Sequence, residues 1–306
     1  MLYLQKNKEE KKMKNIKIKL LAGILAAVSV MSLVGCTQAK DGDSFDNTHS
    51  INVVSREEGS GTRGAFIELL GIEEKTDEGK KDRTSKNAII ANKTGVMLTN
   101  IMTDEYSIGY VSMGSLSDDV KSVSIDGVEA TAENVENGTY KLARPFVIAI
   151  DDDTSELAYD FIDFILSREG QDIVAQSYVR IDSNAPEYDG SMPAGKIVVA
   201  GSSSVTPVME KLAEKYCEVN NDAEIEIQQT DSTAGVMAVS SGTADIGMAS
   251  RDLKDSEKET LTGMNIATDA IAVIVNTQNP INELSGEQVG DIFMGKITEW
   301  DSLLSE

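Results

Sequence analysis

Histidine and cysteine are nearly absent from this 306-residue chain, which holds one His, His49, and two Cys, Cys36 and Cys217. The single imidazole lies in an almost wholly polar stretch (37–50), so a Ser-His-Asp relay has no general base to use. Zinc sites built from His or Cys clusters lack ligands for the same reason. Cys36 ends an apolar leader, which leaves only Cys217 in the mature domain and no intramolecular disulfide. Within MEKLAEKYCEV, Cys217 reads as a buried small hydrophobe on a helix. Positive charge is also scarce: 28 Lys and Arg stand against 51 Asp and Glu, a net charge of −23. That excludes a broad basic face for nucleic acid. It does not exclude a small anion, because local dipoles decide binding at short range. The remainder, 41% hydrophobic and 26% charged, is globular composition, and the length fits two domains or one large one.

Lys14, Lys17 and Lys19 precede an apolar run with small residues at 20–34, too short for a comfortable membrane span. The run ends Leu33-Val34-Gly35-Cys36, which resembles a bacterial lipobox. The resemblance implies a signal peptide over 1–35 and a diacylglycerol on the Cys36 thiol; an ordinary signal peptide with an incidental Cys is the alternative. Met13 is a second candidate start. Residues 36–50 read as a flexible tether.

Beyond the tether, strand and helix signals alternate, which predicts an α/β protein. Strands are expected at 51–55, 107–116, 121–130, 146–150, 196–201, 224–230, 244–250 and 271–276. ELAYDFIDFILSREGQDIVAQSYV (156–179) is a long amphipathic pattern with a break expected at Gly170. SGEQVGDIFMG (285–295) opens with a capping box from Ser285 to Gln288. DSNAPEYDGSMPAG (182–195) reads as a linker or long surface loop. EEKTDEGKKDR (73–83) reads as a solvated charge run.

Three times a strand runs through a small, hydroxyl-rich loop into a helix. The loops are Glu58-Gly59-Ser60-Gly61-Thr62, Ser202-Ser203-Ser204-Val205-Thr206 and Asp231-Ser232-Thr233-Ala234-Gly235. Each sets hydroxyls and free N–H groups at the positive end of a helix, where oxoanions bind. Ser and Thr are also the preferred N-caps, so one such loop alone would mean capping. Three together, with Arg56 and Arg251 at strand ends, favour an anion site. Gly59, Gly61 and Gly64 fit G-x-G-x-x-G, but no strand and acidic residue follow as a dinucleotide fold requires. The Lys-Ser/Thr pair of a P-loop is missing too.

SREEGSGTRGAF, GSSSVTPVMEKLAEKY, GTADIGMASRDL, DAIAVIVN, YKLARPF and ITEW resemble the phosphate-binding lipoproteins of bacterial phosphate ABC importers, across nearly all of 51–306. The resemblance implies a two-lobed class II periplasmic-binding-protein fold, with mixed sheets flanked by helices and the ligand in the cleft between lobes. The order of segments differs from the family pattern: the SREEGSGTR half precedes the GSSSVTP half, as in a circular permutation. Crossings between lobes are then expected near 143–147 and 268–271. One lobe is contiguous over 145–268 and the other combines 51–143 with 270–306, and 182–195 joins the old termini. Two swapped chains or a tandem fragment are the alternatives to a permuted monomer.

The resemblance assigns Arg56, Ser60, Gly61, Thr62, Ser203, Ser204, Thr206, Ser232 and Arg251 to phosphate, with Glu58 orienting Arg56. It implies delivery to ABC permease subunits from an extracytoplasmic, lipid-anchored position, with no cofactor, metal, nucleic acid or catalysis. One departure concerns selectivity. Some members have Asp directly after the Ala-Ser of this strand, accepting a proton from phosphate; here Arg251 stands there and Asp252 follows. Asp231, Asp252 or a Ser oxygen would have to take that part. Sulfate or molybdate binding, a phosphate sensor or adhesion protein, and a secreted phosphatase are the other readings.

The lipobox reading has a direct consequence: Cys36→Ala is expected to yield unprocessed precursor or protein released to the medium. Fractionation showing mature, membrane-bound Cys36→Ala protein would refute it.

Overall fold

The computed structural model describes residues 45–76 and 79–304; the expected signal peptide, Cys36 and the expected tether to residue 44 lie outside the described residues. From Asn47 onward the chain forms one compact unit. Its first part runs β1 (Asn52–Arg56), α1 (Gly61–Leu69), β2 (Glu73–Thr76), β3 (Gly79–Asp82), β4 (Ile89–Ala91), α2 (Thr94–Thr103), β5 (Ser107–Ser112), β6 (Val120–Ile125) and α3 (Ala132–Glu136). The middle comprises β7 (Ala143–Ile150), α4 (Glu156–Leu166), α5 (Arg168–Val174), β8 (Gly195–Ser202), α6 (Thr206–Val219), β9 (Ala223–Thr230), α7 (Ser232–Ser240) and β10 (Ile246–Ala249). The last part is α8 (Asp255–Lys258), β11 (Thr262–Asn276), β12 (Glu283–Leu284), α9 (Gly286–Phe293) and α10 (Asp301–Leu304).

The main sheet has the strand order β4-β1-β5-β11-β7-β10-β8-β9, with β6 attached to β11 and β12 to β6. β11 is the joint. Its first half pairs antiparallel with β7, from Thr262 opposite Ile150 to Ala270 opposite Ala143. Its second half pairs antiparallel with β5 and β6. On either side the strands are parallel, β1 with β4 and β5, β8 with β9 and β10. Parallel neighbours end at a common edge, so their following loops collect there.

Both faces of this sheet are covered, which is why β5 is buried at every residue and the second half of β11 carries the apolar run at 270–275. In α4, Ser155 caps the Ala158 amide at 3.2 Å, and Leu157, Ala158, Phe161, Ile162, Phe164 and Ile165 turn inward. They join Phe146, Ile148, Val199, Met209 and Leu212 in one core cluster. Each large side chain so buried contributes about 1.5–3 kcal/mol.

Several expectations need correction. The amphipathic pattern at 156–179 breaks at Ser167, not Gly170: Ser167 ends α4 with ψ 171° and its hydroxyl caps α5 through the Gly170 amide. Gly170 is small because a Cβ there would stand 2.2 Å from the Phe164 carbonyl oxygen. The charge run at 73–83 contains the β2–β3 hairpin, held by Glu73–Lys80 pairing. Cys217 is half-buried, packed beside the core rather than inside it, and burial raises its pKa. The end of the expected tether is fixed: His49 stacks on Tyr106, Ser50 bridges Glu299, and the Ile51 amide donates to Thr298 O at 2.8 Å. The capping box at α9 is present, Ser285 Oγ accepting from the Gln288 amide and Gln288 Oε1 from the Ser285 amide.

The Pro/Gly-rich stretch 182–195 runs over the surface but is tied down. Asp160, 5% exposed on α4, accepts from the hydroxyls of Tyr188 and Tyr216 and from the Ser191 amide at 2.7 Å. Asn220 Nδ2 donates to Pro193 O at 2.9 Å. Burial alone would raise the Asp160 pKa; the donors from Tyr188, Tyr216, Ser191 and Met192 outweigh it and hold the carboxyl below its ordinary value. A carboxylate with a depressed folded pKa stabilises above its unfolded value, and loses that contribution as pH falls through the folded one. Asp160→Ala is therefore expected to cost about 3 kcal/mol at pH 7. The gap to wild type should shrink near pH 3, measured by urea unfolding at both pH values. A gap equal at the two pH values would argue against the ionised carboxylate as the anchor.

Candidate functional site

Four helix N-termini meet where the C-terminal edges of the two parallel strand groups face each other: those of α1, α2, α6 and α7. β1 delivers Arg56 and the turn to α1, β8 delivers Ser202 to Ser204, and β9 delivers Asp231 and Ser232. β10 ends one residue before Ser250. Hydroxyls from these loops touch one another. Thr62 Oγ1 lies 2.9 Å from Ser204 Oγ and 3.3 Å from Ser250 Oγ. Ser232 Oγ is 3.3 Å from Ser250 Oγ, and Thr94 Oγ1 is 3.1 Å from Ser203 Oγ. Thr62, Ser203, Ser204, Ser232 and Ser250 are all buried to within about 1% of their surface.

Counting donors shows what these hydroxyls can do. Ser203 Oγ accepts from Arg56 Nη2 at 3.0 Å and from the Thr94 amide at 3.2 Å. Ser232 Oγ accepts from the amides of Gly61 and Ser250, at 3.2 and 3.1 Å. A hydroxyl oxygen has two lone pairs and one proton. Both oxygens are thus saturated as acceptors, and each O–H remains as a donor. Together with the helix dipoles this is a buried, donor-rich cluster, the chemistry that suits an oxoanion. Close approach matters here: a Cβ on Gly61 would come within 2.5 Å of Ser232 Oγ and 2.8 Å of Ser250 Oγ.

Two guanidiniums stand behind the hydroxyls. Arg56 is 2% exposed and pairs with Glu57 through Nε at 2.9 Å and Nη2 at 2.8 Å. Arg144 pairs with Asp269, Nη2 to Oδ2 at 3.1 Å, and Ser112 Oγ donates to Asp269 Oδ1 at 2.9 Å. Burial pushes the Asp269 pKa up, against the pull of Arg144, and pushes that of Arg144 down, against the pull of Asp269. Arg144 also borders a crevice of about 670 Å³, with Gly64, Pro145, Arg251 and Lys254 among the other lining residues.

Of the residues expected here, Arg56, Gly61, Thr62, Ser203, Ser204 and Ser232 come together. Ser60 sits at the edge as the N-cap of α1, accepting from the Arg63 amide at 3.3 Å. Thr206 is buried, but its hydroxyl donates back to Ser202 O at 3.1 Å and closes its own turn. Glu58 is exposed; the partner of Arg56 is Glu57, because the turn at 58–59 carries Glu58 outward. Arg251 lays its stem against Gly61, but both its amino groups go to Glu257 at 2.8 Å, and Nη2 also reaches Thr233 Oγ1 at 3.3 Å. Asp231 caps α7 through the Ala234 amide at 2.8 Å. Thr94, Arg144, Ser250, Glu57 and Asp269 escape the sequence reading. A lone Arg in the otherwise apolar β7 and the single charged residue of β11, Asp269, were the available signals. Among the described residues, no group of three or more His, Cys, Asp and Glu could hold a metal ion.

Comparison with known proteins gives consistent results. The PBP superfamily domain matches residues 5–169 and 186–306. The phosphate-binding protein PstS 2 of Streptococcus agalactiae serotype V is 47% identical over 295 residues, covering 95% of this chain and 99% of the relative. The crystal structure of a phosphate-binding protein of a phosphate ABC transporter from Streptococcus pneumoniae TIGR4 superposes with a TM-score of 0.66 at 44% identity, over 83% of this chain and 99% of that one. The phosphate-binding protein PstS of Staphylococcus aureus (strain USA300) is 37% identical over 114 residues, only 35% of each chain. With a superfamily match along nearly its whole length and a PstS 2 relative matched end to end, this chain belongs to the PBP superfamily, with the two-lobed fold of its phosphate-binding proteins.

Proposed function

We propose that this chain binds inorganic phosphate outside the cytoplasm and hands it to the permease of an ABC importer, without breaking a bond. The observation that carries the reading is the buried cluster of Arg56, Thr62, Ser203, Ser204 and Ser232, supplied by loops from both sides of the β7–β11 pair. An ion held by both sides would favour their closed arrangement, because only that arrangement offers all donors at once. The crossings of β7 and β11 support lobes of 145–268 and of 51–143 plus 270–306. Lipid attachment at Cys36 would keep the protein beside its permease. Arg56→Ala should weaken phosphate binding by about 1.5–3 kcal/mol, the range for a hydrogen bond to a charged group. Titration calorimetry of wild type and variant with phosphate, sulfate and molybdate tests this. Unchanged phosphate affinity would remove Arg56 from the site. A preference for sulfate or molybdate would favour the second reading.

A permuted order is the reading of the chain's organisation. The S. agalactiae relative shares the order end to end, whereas the S. aureus one aligns with only a third of either chain. The pairing of residues 49–51 with 298–300 supports adjacent new ends in one monomer. Joining Glu306 to Ile51 by a short linker and cutting between Asp189 and Gly190 should give a monomer with unaltered phosphate affinity. The anchors at Tyr188 and Ser191 then stay on opposite sides of the cut. Light scattering of the original chain at twice the mature mass would instead favour exchanged halves.

A further inference from the structure

Arg144 and Asp269 belong to none of the three loops. They are direct partners in the register of β7 and β11, the strands shared by the two halves of the sheet. Arg144 is 3% exposed and Asp269 fully buried. Such a pair seldom stabilises a fold, since desolving two charges offsets their attraction and apolar side chains of similar size often serve as well. Its contacts give it another part to play. Arg144 Nη2 donates to Thr62 Oγ1 at 3.0 Å and Nη1 donates to Ser250 O at 3.1 Å. The guanidinium therefore grips two of the chain segments that build the hydroxyl cluster. With Arg144 donating to the Thr62 oxygen, the Thr62 proton must point elsewhere, towards the side where Ser204 and Ser250 stand. Arg144 Nε is buried with no hydrogen-bond partner, so the guanidinium is not satisfied by the fold alone.

We propose that Arg144 is a positioning residue for the bound anion: it fixes Thr62 as a donor and places a second buried positive charge behind it, while Asp269 holds the guanidinium in place and moderates its charge. This rests on the phosphate reading above. The charge sits on strands common to both sides of the cleft, so closure brings Thr62 and the anion to it.

Titration calorimetry with inorganic phosphate and with sulfate, on the full mature chain, tests the inference. Arg144→Met/Asp269→Val removes both charges at similar volume. It should fold, with a melting temperature at or above that of wild type, yet bind phosphate about tenfold more weakly or worse. Arg144→Lys keeps the charge without the two-point grip and should recover part of the loss. Asp269→Asn keeps Arg144 and removes its counter-charge, and should bind phosphate more tightly than wild type, which a merely structural pair would not do. Should Asp269→Asn fail to fold, the double variant decides. A folded double variant with wild-type affinity overturns this inference alone. A wild-type chain that binds neither phosphate nor sulfate overturns the phosphate reading and this inference with it.

Discussion

One strand sets the geometry of everything else. β11 spends its first half on β7 and its second half on β5 and β6, so two parallel groups of strands are joined through a shared, buried ladder. Because each group is internally parallel, each has one edge from which its loops emerge. The shared strand brings those edges opposite one another. The site is therefore a product of strand direction before it is a product of any side chain. Polar groups at that edge face a partner surface instead of solvent, and each must find a hydrogen bond there.

That demand explains the chemistry of the loops. Four helices begin at the edge, and the first amides of a helix have no partner within it. Small hydroxyl residues meet the need with the least bulk, and Gly59 and Gly61 allow contact too close for a Cβ: at Gly59 a Cβ would lie 2.4 Å from Asp231 Oδ1. The same residues that satisfy the backbone also fix the direction of their own protons. Ser203 and Ser232 each accept two N–H groups and are left as donors. Capping and anion recognition are thus not competing explanations of a Ser-rich loop; the first would produce the donors that the second needs.

The loops were legible because a strand followed by Gly, Ser and Thr and then a helix is a local pattern. The α/β alternation and the α9 capping box were legible for the same reason. What stayed hidden depends on register or on turn geometry. Arg144 and Asp269 meet only because β7 and β11 align in one particular register. Thr94 starts α2 behind Lys93, which makes no side-chain cap, so no start signal marked it. The choice of Glu57 over Glu58 beside Arg56 turns on a single turn at 58–59. The β2–β3 hairpin is exposed on nearly every residue, so no apolar alternation announced it. The break at Ser167 was masked because apolar spacing continues through it, and the cap that makes the break is one hydroxyl.

The proposed anion site, in a chain of net charge −23, is less paradoxical than it looks. At physiological ionic strength, surface charges are screened over about 8 Å, so the acidic exterior acts weakly on a buried cluster. Inside, the formal charges nearly cancel: Glu57 answers Arg56 and Asp269 answers Arg144. What remains unbalanced is the set of backbone amides, hydroxyl protons and helix dipoles gathered at the cluster. Such dipoles count for more where water is excluded. Their orientation is set by the fold, so little of it has to be reorganised when a ligand arrives. The paired carboxylates then serve to keep two long cationic side chains in fixed positions, and recognition falls to groups that cannot turn away.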